Sequence, residues 1–339
     1  MSQFDQTNRM ESISRPGSDS LIKVIGVGGG VCNAINHMIE EGLKGVEFIA
    51  VHTDPQILIK SKAPKRVFIG EIVRHGLDGG GDPHKAQKAA EDSADELYKI
   101  VCDADMTFVV SAMGGGTGTG AAPVVARIAK QAGALTIGIV TRPFTFEGTR
   151  RMQKVLDGIN ILKNHVDTLI VFSNDRLLET DRQASVGEAF RIIDDILLQG
   201  IKGISELITV PGLICLDLDE VRTILSGGKL ATLTFGKASG EDRAHIATKK
   251  AISSFPMDFP LDGARSILVN FTSGPDLALI EVSQAIDLIR KSVRPNVNIL
   301  FGAVIDTDLG DEFRVTAIAN GYESMGGQEL FPRFLDLDI

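Results

Sequence analysis

The sequence predicts an α/β protein: a parallel-sheet domain, a long central helix and a smaller α+β domain behind it. Three observations carry this. Through the first half, short apolar runs rich in β-branched residues alternate with helical periodicity, the pattern of a parallel sheet covered on both faces. Residues 186–207 then place Phe190, Ile193, Ile196, Leu197, Ile201 and Ile204 at helical spacing, a long spine between two halves. Beyond it the order changes to mixed strands and helices, as in an α+β unit. The chain has 339 residues, 43% of them hydrophobic, enough for cores without staples.

Taken in order, residues 1–20 are polar with few apolar anchors, and are expected to form a disordered arm. Strands are expected at 21–25, 46–51, 67–69, 106–110, 135–140 and 168–172, with helices at 34–41, 84–101, after 120, and 147–164. Ligands of such a sheet bind at the carboxyl ends of its strands. These elements make a first domain of 21–185, and the spine covers 186–210. A second domain, 211–323, is expected to hold helices at 220–225, 242–253 and 277–291 and strands at 230–235, 266–271, 298–305 and 312–319. The segment 306–311 between the last two strands reads as a hairpin. Residues 324–339 form a short tail with apolar residues that pack back on their own domain.

A net charge of −9 argues against sequence-independent nucleic-acid binding, while phosphate binding through backbone amides needs no basic excess. Cys32, Cys102 and Cys215 are far apart and show no metal-ligand spacing, which suits a reducing cytosol. The six histidines show no paired metal spacing either. No apolar run reaches membrane-spanning length and no signal peptide is evident, so a soluble cytoplasmic protein is expected.

The chemistry concentrates in Ser111-Ala-Met-Gly-Gly-Gly-Thr-Gly-Thr-Gly120, which lies between an expected strand and an expected helix. Glycines there let the backbone turn sharply and bring amide N–H groups close to a ligand, and the helix dipole favours negative charge. Thr117 and Thr119 add hydroxyl donors. A di- or triphosphate held by backbone amides fits. A turn that merely caps a helix needs one or two glycines rather than five. Two sister clusters, Gly26-Val-Gly-Gly-Gly30 and Asp78-Gly-Gly-Gly-Asp82, fall at other strand ends. The first fails the dinucleotide fingerprint because Val31 stands where a small residue is required, and no Gly-x-x-x-x-Gly-Lys-Ser/Thr occurs.

Together with Phe48-Ile-Ala-Val-His-Thr-Asp54, Pro143-Phe-Thr-Phe-Glu-Gly148, Asn174-Asp-Arg-Leu-Leu178 and Gly203-Ile-Ser-Glu-Leu-Ile208, these runs resemble FtsZ, of the tubulin/FtsZ GTPase family. The resemblance covers about 21–323. It implies a GTP-binding domain, a central helix, a C-terminal domain, and head-to-tail polymerisation into cytoskeletal filaments for cell division. Residue by residue, it implies phosphate contacts at Gly28, Gly29, Gly30, Gly114, Gly115, Gly116, Thr117, Gly118 and Thr119, with 78–82 on the γ-phosphate side. Base contacts are implied at Asn33, Asn174, Phe190 and Asp195, and ribose and phosphate contacts at Glu147 and Arg151. From the residues alone, Glu147 and Arg151 read as an i,i+4 helix pair and Phe190 as core.

The resemblance puts catalysis at Asp217 and Glu220, acting on the GTP of the neighbouring subunit by orienting water and Mg2+ at the γ-phosphate. Acids beside a subunit's own triphosphate would repel it, which makes hydrolysis conditional on assembly. Without that context the same acids read as a solvated helix start. Here the chain departs from the family's Asn-x-Asp-Phe-x-Asp-Val: Cys215, Leu218 and Glu220 replace the asparagine, the phenylalanine and the second aspartate. Glutamate keeps the charge but shifts it by a methylene, and a displacement of about an ångström can cost on the order of a hundredfold in rate. His52 also replaces an asparagine. Two functional readings stand: an assembly-dependent GTPase, and a paralogue of weak turnover that scaffolds or co-assembles with a second FtsZ or other division proteins. Membrane contact is expected only through adaptors, and the tail lacks the family's long linker. A plasmid-partition tubulin and a nicotinamide dehydrogenase fit the motifs less well.

Overall fold

The computed structural model describes residues 20–70, 81–180, 185–210, 212–226, 230–255 and 259–322. In chain order these form β1 (Ile22–Val27), α1 (Gly29–Glu40), β2 (Val46–His52), α2 (Pro55–Lys60), β3 (Lys65–Phe68), α3 (Pro83–Asp92), α4 (Ala94–Val101), β4 (Met106–Ala112), α5 (Gly116–Gln131), β5 (Leu135–Arg142), α6 (Thr149–Leu162), β6 (Thr168–Ser173) and α7 (Asp175–Thr180). There follow α8 (Val186–Thr209), α9 (Leu218–Ser226), β7 (Leu230–Ala238), α10 (Arg243–Ser253), β8 (Ser266–Ser273), α11 (Leu279–Lys291), β9 (Asn298–Ile305) and β10 (Phe313–Asn320).

The strands join in one sheet of order β3-β2-β1-β4-β5-β6-β7-β10-β8-β9. The pairings from β3 through β7 are all parallel. β1 and β5 are buried along their whole length, as expected of strands covered on both faces. One apolar layer packs α1 and α8 onto one face, through Ile35, Met38, Leu197 and Ile201. The other packs α4, α5 and α6 onto the opposite face, through Leu97, Val125 and Ile159. A third cluster fills the C-terminal half between α10, α11 and the sheet. Among the described residues no helix is long and apolar enough to cross a membrane.

Several expectations need correction. The segment between β9 and β10 is not a hairpin: β9 pairs in parallel with β8, while β10 inserts antiparallel between β7 and β8. Burial explains the choice, because β10 is buried almost throughout and gains two partners, whereas β9 begins exposed and serves as the edge. The helix expected over 84–101 breaks at Ser93, whose carbonyl opens α4 and whose hydroxyl accepts from Gly70 N at 3.3 Å. α1 starts at Gly29 inside the expected turn, and the short helices α2 and α7 were not foreseen. The arm at 1–19, the loop at 71–80 and the tail from 323 lie outside the described residues.

Candidate functional site

The site forms at the carboxyl ends of β1, β4, β5 and β6, where two glycine turns meet. Gly28 has φ +96, and a Cβ there would lie 2.9 Å from the amide nitrogen of Gly118. A Cβ on Gly118 would lie 2.6 Å from the Ala112 carbonyl and the Ser111 hydroxyl. Gly116 and Gly120 are pressed in the same way against the backbone of 81–83. These glycines therefore let loop lie on loop. Gly115 differs: a Cβ there meets nothing within 4 Å.

The helices that leave these turns are capped by Gly28 and Gly115, and neither cap supplies a side-chain acceptor to the first-turn amides. Two adjacent helix starts capped by glycine, at the positive ends of their dipoles, make a strong anion site. The threonine hydroxyls are spent inside the loops. Thr119 Oγ1 accepts from Gly114 N at 2.8 Å, and Thr117 Oγ1 lies 2.7 Å from Thr53 Oγ1. Asp82 caps α3 by accepting from His84 N at 3.0 Å, while 78–80 lie outside the described residues.

Beside these turns opens a cleft of about 270 Å³ that brings together Gly30, Asn33, Glu147, Arg151, Asn174 and Phe190. Gly29 and Gly114 adjoin its wall at Gly30 and Met113. Glu147 accepts from Phe144 N at 2.9 Å and pairs with Arg151 at 2.8 Å, so the i,i+4 pair does form. Phe190 is half exposed, set edge-on to Phe144 with ring centroids 6.4 Å apart. Asn174 is buried, and its Oδ1 has no hydrogen-bond partner among the described residues. An orphaned buried acceptor is costly and calls for a donor from a ligand.

The family model for the tubulin/FtsZ GTPase domain matches residues 21–181, and the FtsZ C-terminal domain model matches 229–323. FtsZ of M. jannaschii, solved as an empty dimer, is 37% identical over 95% of this chain and 93% of that one, with a TM-score of 0.85. The chain belongs to the tubulin/FtsZ family. A mutant of the same FtsZ is 38% identical over 90% of this chain and 92% of that one, again at TM-score 0.85. CetZ2 from Haloferax volcanii, in a GTPγS-bound protofilament, is 20% identical over 93% and 96% with TM-score 0.75, a likeness of fold. As a tubulin/FtsZ protein the chain carries that family's GTPase domain, and with it binding of GTP and GDP.

One residue expected at this cleft lies elsewhere. Asp195 does not face the cleft: it pairs with His37 at 2.6 Å and lines a separate cavity. Asp194 faces the cleft instead, and burial pushes its carboxyl up to about 6. One step along a helix turns a side chain by about 100°. The signal was in the sequence, since Asp194 stands four residues from Phe190 and so shares its face, whereas Asp195 does not.

Asp217 and Glu220 are nowhere near the cleft. Fifteen residues of α8 separate Asp194 from Thr209, a rise of about 22 Å. At that far end Thr209 touches the position of Gly45, just before β2, and Arg222 reaches the Asp105 carbonyl, just before β4. The acids thus lie at the amino edge of the sheet, both exposed. They also cap α9 reciprocally: Glu220 N donates to Asp217 at 2.7 Å and Asp217 N to Glu220 at 3.1 Å. Cys215 accepts from Gly212 N at 3.0 Å and helps hold the loop.

Proposed function

We propose that this chain binds GTP in the cleft, polymerises head to tail, and hydrolyses GTP at the junction between successive subunits, as a cytoplasmic division filament. Residues 21–185 act as the GTP-binding domain, 186–210 as the central helix, and 211–323 as the domain that offers the catalytic loop. The observation that carries the reading is the placement of the two half-sites at opposite edges of one sheet. A subunit cannot bring its own Asp217 to its own cleft across the length of α8. Stacking one subunit on the next can.

In the cleft, the first-turn amides of α1 and α5 hold the phosphates, with Gly115 giving them a close approach. Asn174 Oδ1 accepts from the base, and Asp194, when ionised, accepts from the guanine N1 and N2 hydrogens. Phe190 offers a face to the ring. Mg2+, when bound, would supply charge neutralisation at the phosphates, beside the backbone amides and the Arg151 guanidinium of the cleft. Asp217 and Glu220 of the next subunit orient the attacking water. Exposed Ile59 and Phe146 near the cleft, and exposed Leu213 at the far end, offer apolar surface for such a junction. Specific GTPase activity is expected to rise with protein concentration above a threshold. Activity independent of concentration would sink the composite site.

One observation favours a second reading. The reciprocal cap ties the Glu220 carboxylate to its own helix, and Cys215 replaces the family's amide, so turnover is slow and the filament acts mainly as a scaffold or co-assembles with another FtsZ. Phosphate release by purified protein separates the two.

A further inference from the structure

One face of α6 backs the phosphate turn. Arg151, Lys154 and Gly158 stand three and four residues apart and so share a side of that helix. Each meets a different piece of the turn. A Cβ on Gly114 would lie 2.8 Å from Arg151 Cγ, and one on Gly158 would lie 2.5 Å from the Thr119 methyl, so these two contacts are packing of helix on loop. The middle contact is polar: Lys154 Nζ donates to the Gly81 carbonyl at 2.6 Å.

Gly81 has a left-handed φ of +70 and leads into Asp82, which caps α3. The backbone of these two residues lies on the start of α5, since a Cβ on Gly116 would be 3.0 Å from Gly81 Cα and from Asp82 N. The segment is thus held from two sides, by the first turn of α5 and by Lys154.

A lysine on a helix surface is ordinarily a solvated charge or half of an ion pair. Lys154 is neither. It is partly buried and forms no ion pair among the described residues. The acids beside it on the wall of the hollow it lines are engaged elsewhere: Asp157 accepts from Gln153 at 3.1 Å, and Asp82 from His84 N at 3.0 Å. Ordering a lysine stem and drawing its ammonium partly out of water for one carbonyl costs entropy and solvation, which a surface charge avoids. What the contact secures is the position of 81–82.

We propose that Lys154 is a positioning residue for the phosphate turn: by tying the Gly81 carbonyl to α6 it presses 81–82 onto the first turn of α5 and fixes the amides there in the geometry phosphates require. This rests on assigning those amides to the phosphates of the nucleotide. The base contacts, Asn174 and Asp194, come from the end of β6 and from α8 instead. Loss of Lys154 therefore weakens a nucleotide through its phosphates and spares the nucleoside.

Lys154→Met keeps the apolar stem and removes the donor, whereas Lys154→Arg keeps a cationic donor of similar reach. GTP and guanosine are titrated calorimetrically into the full chain of each. Lys154→Met is expected to weaken GTP by about tenfold, the size of one hydrogen bond from a charged group, with guanosine within about twofold of wild type. Lys154→Arg is expected to bring GTP back to within about threefold of wild type. Unchanged GTP affinity in Lys154→Met, or a Lys154→Arg protein as weak as Lys154→Met, would overturn the positioning role. So would a parallel loss of GTP and guanosine with a lowered melting midpoint, the mark of a lysine that only supports the fold. A wild type that binds GTP no more tightly than guanosine would overturn the phosphate assignment itself, a result read without any variant.

Discussion

Asp194→Asn gives the sharpest view of the cleft. Burial raises this carboxyl from 3.8 to about 6, so holding it ionised costs the empty fold at most about 3 kcal/mol at neutral pH, less the part that water screens at this half-buried position. That cost is present above pH 6 and absent below the unfolded value near 3.8. The neutral asparagine therefore stabilises the nucleotide-free protein by up to about 3 kcal/mol at pH 7 to 8, and the gain disappears as the pH falls toward 4. Binding moves the other way. Two hydrogen bonds from guanine to a charged acceptor are worth about 1.5–3 kcal/mol each, and an amide oxygen cannot reproduce both. The variant is expected to lose GTP affinity by about a hundredfold or more. In the wild type, affinity should be flat above pH 7 and fall as the carboxylate protonates below about 6, while in Asp194→Asn it should be weak and insensitive to pH. Calorimetric GTP titrations at several pH values, with thermal melts of the free protein, measure both effects. Asp194→Asn retaining full affinity, or Asp195→Asn losing more, would refute the assignment.

Other expectations follow from the packing. Gly115→Ala should leave stability within about 0.5 kcal/mol, since its Cβ meets open space, yet weaken GTP binding. Gly118→Ala should destabilise by several kcal/mol, because its Cβ would meet the Ala112 carbonyl at 2.6 Å; chemical denaturation compares the two. Asp217→Ala should keep GTP binding, lower turnover, and cost about 1 kcal/mol from the lost cap of α9. Arg243 is buried and bidentate to Glu281 at 2.7 and 3.0 Å, with Asp276 at 2.9 Å, so Arg243→Ala should cost about 3–5 kcal/mol by stranding the Glu281 charge. A melt of that variant with unchanged midpoint would contradict the last estimate.

Much of the first half was legible in the sequence because parallel strands buried on both faces announce themselves as unbroken apolar runs. The glycine turns were legible for a related reason, since few other arrangements need so many residues without a Cβ. What those glycines do was less legible: Gly116, Gly118 and Gly120 mainly admit neighbouring backbone, whereas Gly115 stands open. Strand order in the C-terminal half was hidden, because the pattern of β9 and β10 reports burial and not which neighbour supplies it. The Asp194 and Asp195 pair shows how a single step on a helix decides a role. Spacing from Phe190 resolves it once the helix is taken as a cylinder. The position of Asp217 could be read only through the length of α8 and the contacts at its end.

The central claim is that one subunit's cleft is completed by the next subunit's acids. Mixing Asp217→Ala with Asp194→Asn tests it directly, because the first keeps a working cleft and the second keeps working acids. Each alone should release little phosphate. Mixed in equal amounts they should recover activity, up to about one junction in four, since random head-to-tail pairing restores an intact site at that frequency. A mixture no more active than its separate components would show that the site does not lie between subunits.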